Sequence, residues 1–130
     1  MFKQLSVVTA MTVVLGVVAP AGAQDVMQVS PQTNKILVEN EYVRVVQATF
    51  KPGAKEGTHT HPAGFYYVTK GGTLKVTHAD GKVEMWKPEA GESEWSDGEG
   101  QHSAENVGKA TLQYILIEVK NAPNKAAAAK

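Results

Sequence analysis

The stretch Gly53-Ala-Lys-Glu-Gly-Thr-His59-Thr-His61-Pro62 carries two of the four histidines in this 130-residue chain. A third, His102, opens a second segment, His102-Ser-Ala-Glu-Asn106. In an extended strand the side chains alternate between faces, so His59 and His61 are expected to point the same way. Two neutral imidazoles on one face, joined by a third from another strand, suit a divalent transition metal. An isolated His-x-His pair can also be the polar face of a surface strand, and the second segment is what favours a metal site.

Short runs of β-branched and aromatic residues, separated by Gly and Pro turns, make up most of the chain after residue 35. They predict short strands rather than helices, and therefore an all-β sandwich or barrel. The clearest predicted strands are 36–38, 42–50, 65–69, 73–78 and 111–119.

A hairpin is predicted at Asp80-Gly81, a pair typical of a two-residue type I′ turn. With that turn His78 faces Val83 and Val76 faces Met85, and these four side chains share a face that we expect to point into the core. His78 then lies at the turn end of the strand, near solvent, and is not expected to be a metal ligand.

The two histidine segments resemble the two sequence motifs of the cupin family. Gly53, five residues and His59-Thr-His61 are similar to the opening of the first motif, and His102, three residues and Asn106 to the end of the second. The resemblance covers about residues 36–120. It implies a small double-stranded β-helix, or jelly-roll barrel, with a metal site inside it, and it implies His59, His61 and His102 as the metal ligands.

One ligand of the family pattern is missing. The cupin glutamate should follow His61 by a few residues, but its place falls on Phe65 if Gly72 closes the motif, or on Gly64 if Gly71 does. Neither residue can bind a metal. The usual Pro-x-Gly of the second motif is also absent. The resemblance therefore implies three histidines without the carboxylate, and whether another protein ligand replaces it stays open.

Three histidines leave coordination positions for water, dioxygen or a substrate, as catalytic metals require. Fe, Mn, Ni and Zn all suit these ligands, and some cupin dioxygenases use three histidines. The resemblance therefore implies a metal-dependent oxidoreductase, dioxygenase-like, that acts on a small organic molecule. A cupin that binds a small ligand or a metal without turnover is the alternative, and no catalytic residue is assigned.

The candidate pocket residues are Phe65, Tyr66, Tyr67 and Trp95. Whichever tyrosine faces inward could donate a hydrogen bond to the substrate, and Trp95 could instead pack in the core.

Composition excludes several other functions. The chain has no cysteine, so it has no thiolate nucleophile, no sulfur ligand and no disulfide. Its formal net charge is zero and it has no basic patch, which argues against a nucleic-acid partner. No Gly-x-Ser-x-Gly elbow and no Gly-rich phosphate loop is present. The expected partner is a small molecule, and a homodimer stays open.

Residues 1–23 are predicted to be a secretory signal peptide. Lys3 is followed by an apolar run from Leu5 to Ala19 and by Ala21-Gly22-Ala23, a small-x-small cleavage site. Fifteen residues span only about 22 Å as a helix, short of a bilayer core. We therefore expect a periplasmic or secreted protein that is free of the membrane after cleavage. The mature chain should comprise an extended lead over 24–35, a barrel over 36–120 and a disordered tail over 121–130.

Overall fold

A computed structural model describes residues 24–122 of the chain. The predicted signal peptide, 1–23, and residues 123–130 of the predicted tail lie outside the described residues. One helix and nine strands follow in chain order: α1 Val26–Val29, β1 Asn34–Glu39, β2 Val43–Phe50, β3 Lys55–His61, β4 Gly64–Lys70, β5 Leu74–His78, β6 Val83–Trp86, β7 Ser93–Ser96, β8 Glu99–Asn106 and β9 Leu112–Val119. Within 24–122, no helix is sufficiently long and apolar to cross a membrane.

The strands form two sheets. One has five strands in the order β1-β2-β9-β4-β7, and the other has four in the order β3-β8-β5-β6. All named strand pairs are antiparallel. Neighbouring strands in each sheet are mostly distant in sequence, as in a Greek-key or jelly-roll arrangement rather than a meander. The predicted all-β architecture is therefore confirmed.

The core lies between the sheets because alternate residues of β2, β8 and β9 point inward. Buried positions on β2 and β8 recur every second residue. The central cluster joins both sheets and consists of Ala48, Phe50, Leu74, Ala104 and Leu112. Asn106 closes one edge of it, because its Nδ2 donates to the carbonyls of Phe50 and Ala110 at 2.7 and 2.9 Å.

The segment expected to be an extended lead contains the one-turn helix α1. Asp25 caps it by accepting a hydrogen bond from the backbone N–H of Met27 at 2.9 Å. Val26 is 1% exposed, so burial of this side chain holds the turn against the barrel. The expectation of extended structure throughout 24–35 was wrong because a cap and one buried valine do not produce a visible sequence period.

The β5–β6 hairpin differs from its prediction by one residue in register. Thr77 pairs with Val83 and Lys75 with Met85. The loop is longer than a two-residue turn: the N–H of Gly81 bonds to the carbonyl of His78, and Gly81 has φ 84°, which favours glycine. A one-residue slip exchanges the faces of a strand.

The predicted core positions of Val83 and Met85 are therefore wrong. These side chains are 51% and 47% exposed. Glu84 and Trp86 are instead the β6 residues that line a cavity, together with Val76 and His78.

Candidate metal centre

The three predicted histidine ligands lie together between β3 and β8. His59 is paired directly with His102, and His61 follows two residues along β3. Their exposures are 0% for His59, 8% for His61 and 5% for His102. One nitrogen from each ring lies within 4.8 Å of the other two. The structure thus brings together, in a buried position, the imidazoles of two sequence segments that are about forty residues apart.

Backbone carbonyls fix the orientation of two of these rings. The Nδ1 atoms of His59 and His102 lie 2.7 Å from the carbonyl oxygens of Gly57 and Gly100. A carbonyl only accepts, so each Nδ1 carries the hydrogen and each Nε2 presents a lone pair. The Nε2 atoms of His59 and His61 are 3.1 Å apart. Metal-binding histidines commonly donate the other ring N–H to a carbonyl or carboxylate, and this arrangement has that form.

Glu118 lies behind the third ring and forms an ion pair with it when the ring is protonated. Its Oε1 lies 3.5 Å from Nδ1 of His61, and the carboxylate is 3% exposed. Arg44 pairs with the other oxygen of Glu118. Its guanidinium also donates to both carboxylate oxygens of Asp25, at 2.6 and 3.0 Å. Burial alone would raise the pKa of Glu118, but its bonds to His61 and Arg44 outweigh burial and lower it. Glu118 therefore stays anionic beside His61.

The three histidines differ in their affinity for protons. Burial, aided by the charge of His61, lowers the pKa of His59 to about 4, and burial also lowers the pKa of His102. Burial opposes protonation of His61 as well, but the Glu118 carboxylate and the charge of Glu99 overcome it and raise its pKa. Two rings are therefore neutral near pH 7, and a metal ion competes with a proton mainly at His61.

A buried glutamate that the sequence analysis missed lies beside the histidines. Glu56 is 3% exposed, and its Oε1 accepts hydrogen bonds from Oγ1 of Thr33 at 2.6 Å and from Nδ2 of Asn34 at 2.5 Å. Its Oε2 lies 3.5 Å from Nε2 of His59. Burial raises the pKa of Glu56 more than these two hydrogen bonds lower it.

Strand alternation explains why Glu56 was missed. Residues 56 and 59 are an odd number apart, so a regular strand would place them on opposite faces. The register of β3 against β8 shifts between Glu56 and His59, and both residues are buried. Such an irregularity re-aims side chains and is found near functional sites. The only sequence signal was a glutamate inside the first histidine motif.

The histidines open onto a cavity of about 390 Å³, a volume within the range of small-molecule sites. Its aromatic lining comprises Tyr66, Trp86, Tyr114 and Trp95. Trp86 lies edge-to-face against Tyr66 and Tyr114, at ring-centroid distances of 5.4 and 5.5 Å. Trp86 and Tyr114 were not predicted as pocket residues, although Tyr114 shares an inward face of β9 with Leu112 and Leu116.

The predicted pocket residues divide into two groups. Tyr66 and Trp95 line the cavity, whereas Phe65 and Tyr67 are not part of its lining. Phe65 and Tyr67 flank Tyr66 on β4 and so lie on the other face of the strand. Trp95 is 49% exposed and donates from Nε1 to Asp97, so it forms part of the rim and not the core.

Tyr66 is therefore the inward-facing tyrosine. Its hydroxyl donates to Glu94 at 2.9 Å. Burial and this carboxylate raise the pKa of Tyr66 to about 12, which keeps the hydroxyl protonated. Since the hydroxyl proton is already donated to Glu94, a substrate that takes this hydrogen bond has to displace a carboxylate.

No family model and no curated protein matches the sequence, whereas solved structures match the fold. A cupin domain from Bordetella pertussis has a TM-score of 0.62 at 23% identity, over 67% of this chain and 91% of that chain. An RmlC-like cupin from Methanocaldococcus jannaschii has a TM-score of 0.56 at 16% identity, over 74% and 84%. A Klebsiella pneumoniae protein with a double-stranded β-helix domain has a TM-score of 0.53 at 26% identity, over 72% and 77%.

These likenesses establish the fold. The chain is a cupin-type double-stranded β-helix, as the two histidine segments had implied. The fold and the three-histidine group together support a metal-binding cupin.

Proposed function

We propose that this protein is an exported, metal-dependent cupin enzyme that oxidises a small organic molecule in a dioxygenase-like reaction. The observation that carries the proposal is the convergence of three buried histidine nitrogens beside a cavity of about 390 Å³. Each ring is oriented from behind by a carbonyl or a carboxylate. An arrangement of three neutral imidazoles with open positions fits Fe, Mn, Ni or Zn.

The chain's own residues have distinct roles in this proposal. His59, His61 and His102 would hold the ion, and Glu118 would keep the third ring aligned and neutralise part of the added charge. A bound divalent ion would act as a Lewis acid and, if it is redox-active, would support oxidation by dioxygen. Where both atoms of O₂ enter the product and the substrate itself supplies all four electrons, as in oxidative cleavage of a C–C bond, no further reductant is needed.

The charges of the cavity indicate the class of substrate. Among the described residues its lining includes no lysine or arginine, but it includes the carboxylates of Glu56, Glu84, Glu94 and Glu99. A divalent ion would offset only part of this negative charge. The aromatic rings of Trp86 and Trp95 can contact an apolar body or a cationic group. We therefore expect an uncharged or cationic organic molecule, with an apolar portion, in preference to an anionic one.

Export and assembly are further parts of the proposal. The apolar run and the Ala21-Gly22-Ala23 site support cleavage before Gln24 and a periplasmic or secreted location. A homodimer has support from the edge strand β1, where Ile36, Leu37 and Val38 are 38–54% exposed. An exposed apolar edge strand is a surface on which another chain can pair.

The first experiment is elemental analysis of the protein purified from its native envelope, which should show about one transition metal per chain. The metal-loaded protein is then incubated with uncharged, cationic and anionic small molecules while dissolved oxygen is recorded. Oxygen consumption with a member of the first two classes is expected, and the His59→Ala variant is the control that should consume none. A metal-loaded protein that retains a ligand without forming product would favour the non-catalytic cupin instead.

A further inference from the structure

The two tyrosines that line the cavity differ in the partners of their hydroxyl groups. The hydroxyl of Tyr66 donates to the exposed carboxylate of Glu94 at 2.9 Å. The hydroxyl of Tyr114 has no hydrogen-bond partner among residues 24–122. It is not sealed in the protein interior either, so it opens into the cavity that this side chain lines. Half-buried hydroxyl groups are normally hydrogen-bonded, so this one is available to a molecule that enters the cavity.

The position of the Tyr114 ring is fixed by its neighbours. The ring stacks with that of Phe50 at a centroid distance of 6.4 Å, and Trp86 lies edge-to-face against it at 5.5 Å. The backbone of Tyr114 pairs with Ala48 on β2 and with Val68 on β4, so β9 is held from both edges at this residue. A hydroxyl on a ring held in this way is preorganised, which lowers the entropic cost of a hydrogen bond to a ligand.

Tyr114 lies in the same electrostatic surroundings as the three histidines. The carboxylates whose charges act on its hydroxyl are those of Glu56, Glu99 and Glu118. Each of these carboxylates contacts one of the histidines, at 3.3–3.5 Å. Tyr114 and the histidines also line one cavity of about 390 Å³. A single small molecule can therefore contact the histidines with one of its atoms and the Tyr114 hydroxyl with another.

The Tyr114 hydroxyl is suited to donate a hydrogen bond. Burial, followed by the charges of the nearby carboxylates, raises the pKa of Tyr114 well above its usual value, so the proton stays on the oxygen near pH 7. The carboxylates that line the cavity accept hydrogen bonds when ionised and cannot donate them. An acceptor oxygen of a bound molecule therefore finds no partner among these carboxylates, whereas Tyr114 offers it one.

We infer that Tyr114 determines substrate specificity by donating a hydrogen bond from its hydroxyl to a carbonyl or enol oxygen of the substrate. This inference rests on the proposed function, and it narrows the substrates to molecules that carry an oxygen acceptor next to an apolar body. The ring of Trp86, which packs against Tyr114, is placed to contact the apolar body. Tyr66 is a matched control, because it packs against the same tryptophan but its proton is donated to Glu94.

The test compares two probes of the same shape: acetophenone, which has a carbonyl oxygen, and α-methylstyrene, which has a methylene group in its place. Their affinities for wild type, Tyr114→Phe and Tyr66→Phe are measured by ligand-detected NMR in the presence of Zn²⁺, which is redox-inactive and prevents turnover. Wild type should prefer acetophenone, and Tyr114→Phe should lower this preference by about five- to tenfold, the loss expected for one hydrogen bond. Tyr66→Phe should change the affinity for both probes by the same factor.

An unchanged preference in Tyr114→Phe, an equal reduction in Tyr66→Phe, or a wild type that binds neither probe would overturn the inference. A crystal structure of wild type with acetophenone covers the case in which Tyr114→Phe does not fold. The carbonyl oxygen should lie about 2.5–3.0 Å from Oη of Tyr114, and a carbonyl that points elsewhere would also overturn the inference. A preference that depends on Tyr114, in a protein that binds no metal and consumes no oxygen, would instead contradict the proposed function alone.

Discussion

Two clusters of side chains share the cavity and are held by different forces. The histidine cluster, made of Glu56, His59, His61 and His102, is oriented by hydrogen bonds and charge. The aromatic cluster, made of Tyr66, Trp86 and Tyr114, is held by edge-to-face packing of its rings. Hydrogen bonds fix the direction in which each histidine lone pair points, whereas packing of the aromatic rings fixes the shape of the cavity wall. The first cluster is therefore suited to an ion and the second to the body of an organic molecule, and substitutions should separate the two functions.

The largest effect is expected from the loss of one histidine ligand. A metal at one hundred times its Kd stabilises the folded protein by about 2.7 kcal/mol, which raises the Tm by about 4–8 °C for a domain of this size. His59→Ala should abolish this gain. His78→Ala should retain it, although His78 also lines the cavity. Thermal denaturation with and without Zn²⁺, Mn²⁺, Fe²⁺ and Ni²⁺ checks both variants. An equal change in Tm on adding metal to the two variants would contradict the claim that His59 is a ligand and His78 is not.

An intermediate effect is expected from pH, through His61. A metal requires the neutral ring, and the pKa of His61 is raised, so affinity should be full above this pKa and fall as the pH decreases through it. Only one proton competes in this range, because the pKa values of His59 and His102 are lowered. Metal affinity should therefore fall by nearly tenfold per pH unit below the pKa of His61, and more steeply at still lower pH.

Glu118→Gln provides the control for this pH dependence. Removing the carboxylate should lower the pKa of His61 and move the onset of proton competition to lower pH. It should also weaken binding at high pH by about 10–100-fold, since the ring loses its orienting partner. Zn²⁺ titrations between pH 5 and 8 measure both changes, and an onset at the same pH in both proteins would contradict the role assigned to Glu118.

The smallest effect is expected from Tyr66→Phe in the aromatic cluster. The substitution removes one hydrogen bond to an exposed carboxylate, worth about 1 kcal/mol, and leaves the ring packing against Trp86 in place. Metal affinity should not change, whereas binding of an organic ligand should. Denaturant unfolding and metal titration check this, and a large loss of metal affinity would show that the two clusters are coupled.

Much of the fold follows from patterns that are local in the sequence. A strand has a period of two, so the spacing of His59 and His61 is sufficient to place both rings on one face. The β-branched runs likewise predicted most of the strands. The hairpin after β5 was the exception. Its loop is one residue longer than the two-residue turn predicted at Asp80-Gly81, and this extra residue places every side chain of β6 on the opposite face.

The remainder of the site was decided by tertiary structure. The position of Glu56 depends on a register shift between β3 and β8, and no pattern within β3 reveals the strand with which it will pair. Glu118 reaches His61 only because β9 lies in the sheet opposite β3, and Arg44 on β2 completes the contact. The sequence by itself determined five of the nine strands described over 24–122, together with the histidine pair and its partner segment. The surrounding carboxylates were decided by contacts between distant strands, whose register depends on packing of the whole barrel.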